Sequence, residues 1–273
     1  MEGAIPEPFD VVYKNVGISH AEENCALSLV EIKRPAFQPQ RTEPCFCGSG
    51  RRFKACCGSV AEPRQPPFGV HLVRDFLPAD TCSQWVAYLE KQSRHPLGVH
   101  KLDERESAGL ARERIGGRIT DRVDLGELAR PLVAKVQEAF EVSIAQEMKR
   151  RVEWFEHPQV LRYEKGGTYG PHADSDHFLA DEGMWKKVID RDVSLLLYLN
   201  EDFEGGELVF LHFNFTYRPK RGDLLFFPSS GVYAHQAMPV KNGIRYVIVS
   251  WAAYRNEPRV LDMRPEDCIE IKA

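Results

Sequence analysis

The stretch from Arg162 to Asp174 reads Arg-Tyr-Glu-Lys-Gly-Gly-Thr-Tyr-Gly-Pro-His-Ala-Asp, so that His172 stands two residues before Asp174. Side chains two apart on a strand point to the same face, so this imidazole and this carboxylate can converge on one ion. A third donor, His235, follows the apolar run ending in Phe226-Phe227-Pro228. Two imidazoles and one carboxylate cover one face of an octahedral ion and leave its remaining positions open. Donors this far apart in the chain meet only if separate strands close around a shared interior. Ten residues beyond His235, Arg245 opens the strand-like run Arg-Tyr-Val-Ile-Val-Ser-Trp. An arginine there has few ordinary explanations, because an unpaired buried charge costs several kcal/mol. Its planar fork suits bidentate capture of a carboxylate.

Rival donors lie nearby. Asp176 and His177 compete with His172 and Asp174, but they fall in Ser175 to Asp190, which lacks strand periodicity and reads as a loop. That loop carries Phe178, Met184 and Trp185 and directly follows Asp174. It is expected to be a mobile substrate lid, with packing of Trp185 into the wall as the alternative. His157, just before Pro158, and His212, in the short run Leu208 to Phe213, read as packing or surface histidines.

Taken in order, Tyr163, His172-x-Asp174, Tyr198-Leu199-Asn200, Phe203-Glu204-Gly205-Gly206-Glu207-Leu208, His235, Pro239-Val240 and Gly243-x-Arg245 resemble the prolyl 4-hydroxylase-like branch of the 2-oxoglutarate-dependent Fe(II) dioxygenases. The resemblance covers roughly residues 68 to 254. It implies Fe(II) on His172, Asp174 and His235, with Arg245, Tyr163 and Tyr198 binding the far carboxylate of 2-oxoglutarate. It also implies hydroxylation of an unactivated C–H bond with release of succinate and CO2, a prolyl residue of a protein or peptide as substrate, and L-ascorbate as a frequent auxiliary. A small molecule or another side chain is the alternative substrate. Asp174 fills the position that halogenating relatives leave to a halide, and Tyr246 to Ala253 lacks the second arginine of nucleic acid dealkylases.

A separate cluster lies near the amino end, where Cys45-x-Cys47 and Cys56-Cys57 place four of the seven cysteines within thirteen residues. Four thiolates closing a tetrahedron favour structural Zn(II), with no open position and no catalysis. Disulfides are the competing reading, which the adjacency of Cys56 and Cys57 disfavours. The stretch resembles the SEC-C zinc-binding motif, known from the tail of the preprotein translocase ATPase. Residues 31 to 64 hold seven basic side chains against three acidic ones, a formal +4, which leaves −8 on the rest of a chain whose total is −4. Part of that excess neutralises a thiolate site; the remainder suits RNA, ribosome or an acidic protein surface. A docking or adaptor protein with a non-catalytic barrel is the nonenzymatic alternative.

Four segments are therefore expected: an amino-terminal arm (1–43), the zinc knuckle (44–60), a Pro-rich linker (61–67) and the dioxygenase domain (68–273). In the last, an edge strand over 68–76 precedes a helix from Leu77-Pro78-Ala79-Asp80 to about Gln92. A second helix, over Glu127–Met148, repeats Leu132, Val133, Val136 and Phe140 at helical spacing, with Pro131 in its first turn. Strands are expected over 152–163, 193–199, 208–211, 223–227, 231–236 and 244–253. The fold class is mainly β (α+β): a double-stranded β-helix, or jelly-roll, buttressed by helices, plus the knuckle. No apolar run approaches the roughly 20 residues needed to span a bilayer. Met1 to Asp10 has no basic start or apolar run, so a cytoplasmic location is expected, in keeping with reduced thiols. Cys25, Cys82 and Cys268 stand apart as single thiols, and oligomeric state has no signature here.

Overall fold

The computed structural model describes residues 29–36, 40–45, 50–59, 66–97 and 117–272. Two antiparallel sheets form the body. The larger runs, in spatial order, through His71–Val73, Leu224–Pro228, Val193–Tyr198, Arg245–Tyr254, Gln159–Tyr163, Asp121–Val123 and Arg94–Pro96, with Val152–Phe155 also on Arg245–Tyr254. The smaller runs Phe215–Tyr217, Leu208–Phe210, His235–Ala237, Thr168–His172 and Arg118–Ile119.

Alternation along the central strands divides the apolar residues between two cores. Val193, Leu195, Leu197, Leu224, Phe226, Tyr246, Ile248 and Ala252 face the helices, packing with Leu132, Val136, Phe140 and Ile144. Tyr198, Leu225, Phe227, Val247 and Val249 face inward, against Leu208, Phe210, Phe215 and Tyr217 of the smaller sheet. Covered on both faces, these strands read as continuous apolar runs in the sequence.

The first helix spans Ala79–Leu89 and starts directly after Pro78, whose extended backbone cannot belong to it. The second helical run begins as a tight turn at Gly126–Leu128, continues over Ala129–Glu138, widens into a π segment at Ala139–Ile144 and finishes at Met148. Leu132, Val136, Phe140 and Ile144 are all fully buried. Residues four apart drift by about 40° per step on an ideal α-helix. The wider turns offset this drift and keep Phe140 and Ile144 on the sheet.

Four sequence expectations change. The stretch Ser175 to Asp190 is not a loop: Asp176–Leu179 and Met184–Lys187 form a hairpin, to which Lys33–Pro35 of the arm adds a third strand, with Lys33 opposite Lys186 and Pro35 opposite Met184. Each hairpin strand is only four residues long, and the outer partner of Met184–Lys187 comes from a distant part of the chain, so local periodicity carries no sign of the sheet. The strand expected over 152–163 breaks at Glu156-His157-Pro158. The segment Gly231–Tyr233 is a helical turn, and the strand starts only at His235. The strand from Leu208 ends at Phe210, which leaves His212 in the following turn. Of the arm, residues 1–28 and 37–39 lie outside the described residues, as do 61–65 of the linker and Cys47 of the knuckle. Among the described residues no helix is long and apolar enough to cross a membrane.

Candidate active site

His172 ends one inner strand and His235 begins its antiparallel neighbour, and the ladder sets the two directly opposite each other. Their ring centroids are 4.3 Å apart. Asp174 lies just past the strand end rather than on it, where its N–H and that of Ser175 both donate to the Ser229 carbonyl, at 3.1 and 3.0 Å. The carboxylate stands 3.6 Å from His172 Nε2 and 3.8 Å from His235 Nε2. These separations are too long for hydrogen bonds. They are short enough for one ion, and the donor atoms of all three residues lie within 4.8 Å of one another.

The far side of each donor is tethered. His172 Nδ1 is 2.8 Å from the Gly170 carbonyl and His235 Nδ1 is 3.0 Å from the Tyr233 carbonyl, so each ring carries its proton on Nδ1 and turns a bare Nε2 inward. Burial, and then the neighbouring His235, pushes the His172 pKa down to about 3, keeping that imidazole neutral. Burial alone raises the Asp174 pKa. Its polar surroundings, among them the Ser194 hydroxyl at 2.6 Å and the Arg191 guanidinium, outweigh it and hold the carboxyl below its ordinary range. Arg191 also donates to the Asp174 carbonyl oxygen at 3.3 Å, while Glu156 grips its guanidinium at 2.5 and 2.6 Å and the Trp251 ring lies under it at 3.8 Å.

Arg245 is 2% exposed. Its guanidinium covers the Tyr163 ring at 3.9 Å and gives one hydrogen bond, 2.6 Å, to the Gly206 carbonyl. Among the described residues no carboxylate pairs with it, and both Arg245 Nε and Tyr198 Oη are buried without a hydrogen bond. Burial raises the Tyr198 pKa far enough to keep the phenol a neutral donor. A buried cation without an anion is costly, and its own idle Nε together with the idle Tyr198 hydroxyl is the complement of a carboxylate. The residues present thus fit both an octahedral ion at His172, Asp174 and His235 and a dicarboxylate reaching from that ion to Arg245. Leu161, Leu196, Leu208 and Val247 line the cavity between them.

Several contributors escaped the sequence reading. Tyr169 stacks on His172 with centroids 3.6 Å apart, and the Arg118 guanidinium covers it at 4.5 Å. Tyr169 and His172 are three apart and would face opposite ways on a regular strand. Ala237 pairs with Tyr169 while His235 pairs with His172, so this strand holds one extra residue, a bulge that puts both rings on one side. Gly170-Pro171 inside a strand was the available signal. Ser194, fully buried within an apolar run, was another. Of the rival donors, His177 is exposed on the hairpin, and Asp176 is turned to the Gly231 N–H at 2.9 Å and to Arg34 at 3.4 Å. His157 lies in a different cavity, beside Gln159 and Asp124.

At the amino end, Cys45, Cys56 and Cys57 also bring their sulfurs within 4.8 Å of one another, and Cys47 lies outside the described residues. Three converging thiols are a donor set for Zn(II). The cluster is packed onto the barrel, with Cys45, Phe53 and Cys57 buried in the same core as Phe213 and Tyr233.

Residues 158–253 match the family model of the 2OG-Fe(II) oxygenase superfamily, and residues 41–59 match that of the SEC-C motif. The chain is thus similar to 2OG-Fe(II) oxygenases over residues 158–253 and to SEC-C motifs over residues 41–59. Within that class its likeness is to prolyl hydroxylase-like enzymes. A PKHD-type hydroxylase of Aliarcobacter butzleri (strain RM4018) is 37% identical over 98 residues, 34% of this chain and 42% of that protein. Another, of Rippkaea orientalis (strain PCC 8801 / RF-1), is 34% identical over 94 residues, 33% of this chain and 39% of that protein. The chain thus spans about two fifths of the length of the curated relatives it matches. A solved Pseudomonas putida prolyl-4-hydroxylase is 26% identical and covers 69% of this chain and 94% of its own, with a TM-score of 0.49.

Proposed function

We propose that this protein is an Fe(II)- and 2-oxoglutarate-dependent dioxygenase that hydroxylates a prolyl residue of a protein or peptide. The observation that carries the reading is the buried Arg245, without an acidic partner among the described residues, beside the idle Tyr198 hydroxyl and in the same cavity as His172, Asp174 and His235. When bound, iron and 2-oxoglutarate supply the oxidising chemistry, decarboxylation to succinate and CO2 coupled to placing one atom of dioxygen into a C–H bond. His172 and His235 offer Nε2 atoms oriented by main-chain carbonyls at Nδ1, and Asp174 offers a carboxylate steadied by Ser194. Arg245 and Tyr198 would anchor the distal carboxylate, with Tyr163 stacked beneath the guanidinium. The apolar lining excludes water, which strengthens that ion pair. Tyr169, stacked on His172, lines the same cavity.

Cys45, Cys47, Cys56 and Cys57 would hold a structural zinc, and thiols kept reduced would suit a reducing compartment such as the cytoplasm. The printed name of the curated relatives, PKHD-type hydroxylase, supports the substrate class. The test is anaerobic loading with Fe(II), then 2-oxoglutarate, ascorbate, dioxygen and a proline-containing peptide library, reading succinate together with a mass gain of one oxygen atom. Succinate without any modified prolyl peptide redirects the search to a small molecule or another side chain. No 2-oxoglutarate turnover under any condition leaves the docking reading of the knuckle and removes the enzymatic one.

A further inference from the structure

We infer that Tyr233 is a positioning residue joining the two metal centres, so that filling the amino-terminal thiolate site tightens metal binding at His172, Asp174 and His235. The inference rests on the ligand assignments proposed above.

Tyr233 touches both centres with different parts of itself. Its main-chain carbonyl takes the Nδ1 proton of His235 at 3.0 Å, which sets the plane of that imidazole and the direction of its Nε2. Its ring is buried against Phe213, with centroids 5.4 Å apart, in the core that also contains Cys45, Phe53 and Cys57. Its hydroxyl donates to the Phe68 carbonyl at 3.1 Å, on the segment that leaves the knuckle for the barrel. That approach is close enough to require Gly69, where a Cβ would stand 2.0 Å from the Tyr233 oxygen.

The opposite side of the turn is fixed. Gly231 N–H donates to the buried Asp176 carboxylate, and the Tyr233 N–H donates to the Ser230 carbonyl. Movement in the three-residue turn is therefore set by the core around the Tyr233 ring, which Phe213 shares with Cys45, Phe53 and Cys57 of the knuckle. A thiolate cluster drawn together by an ion holds Phe53 and Cys57 in place. An open cluster lets the ring shift and tilts the carbonyl that orients His235. Linkage makes the effect reciprocal, so metal at the barrel site also favours metal at the thiolates.

The test titrates Fe(II) anaerobically into the full-length protein by equilibrium dialysis, with zinc measured in parallel by elemental analysis and fold by circular dichroism. In Cys57→Ser, zinc is lost and the Fe(II) dissociation constant rises about fivefold or more. Tyr233→Phe keeps the ring, the carbonyl and the zinc but loses the anchor to Phe68; its Fe(II) dissociation constant rises about threefold with zinc content unchanged. His235→Ala retains zinc less well against a chelator. A purely structural role would lower the melting temperature of Tyr233→Phe and leave Fe(II) affinity where it was, which overturns the inference. So does a folded, zinc-free Cys57→Ser protein with wild-type Fe(II) affinity; if that variant fails to fold, Tyr233→Phe decides. Wild-type protein that takes up zinc but no Fe(II) defeats the oxygenase reading instead.

Discussion

His172 and His235 face each other across a single rung of the antiparallel ladder, and each ring is turned by a carbonyl two residues back in its own chain, Gly170 and Tyr233. The pair is symmetric in its tethers. Asp174, with its carboxylate 3.6 and 3.8 Å from the two Nε2 atoms, completes the set from outside the ladder.

The Asp174 tether is the most exposed to mutation. Ser194→Ala removes the hydroxyl that donates at 2.6 Å and leaves a buried carboxylate oxygen short of a partner. Fe(II) affinity is expected to fall about 10- to 100-fold, as for other outer partners of metal ligands. Dialysis against a graded chelator measures it, and an unchanged affinity removes Ser194 from the site.

Arg245→Gln keeps a donor but deletes the charge. If 2-oxoglutarate sits against it, the KM for the cosubstrate rises by about 30-fold or more, the usual cost of truncating one partner of a buried charge pair. Tyr198→Phe removes a single hydroxyl, so its KM should change by about 2- to 12-fold only. Equal effects from the two changes would contradict an arginine-dominated anchor.

Gly231 carries the Trp185 ring of the hairpin. A Cβ at position 231 would lie 2.3 to 2.7 Å from indole atoms, several at the root of the ring, so Gly231→Ala must displace the hairpin. About 1–3 kcal/mol of stability is expected to go with it. Limited proteolysis should then cut between Leu179 and Met184 faster than in the wild type.

Cys82 is fully buried, with its thiol toward the Leu77 carbonyl, and burial pushes its pKa up to about 11 from an ordinary 9.0. A raised thiol pKa favours the folded state fully below the unfolded value, and that contribution disappears as pH climbs from 9.0 toward about 11. The urea midpoint should drop across this window and recover in Cys82→Ala relative to its own value at neutral pH. At pH 8 the folded protein should also protect Cys82 from iodoacetamide.

The strands that carry the barrel were legible because both of their faces are covered, and runs such as Val193 to Leu199 then read as apolar apart from Ser194. The hairpin over Asp176–Lys187 was not. Its pairing partner, Lys33–Pro35, lies well over a hundred residues earlier, and neither segment is apolar enough to announce a strand alone. Tyr169 was missed for a related reason, since only the ladder shows the extra residue that turns it onto His172.

By itself the sequence supplied the chemistry: which donors exist, their types and order, an arginine too costly to bury unless it has an anion to meet, and a cysteine cluster of thiolate spacing. Those are properties of residue identity, and they survive in any register. Tertiary structure alone decided which donors meet, that Asp176 turns away to Gly231, that Tyr198 and Arg245 keep idle hydrogen-bonding atoms in one cavity, and that the knuckle shares a core with Tyr233. Orientation and proximity depend on pairings between distant segments, whose energies belong to contacts across the fold and leave no periodic trace in the chain.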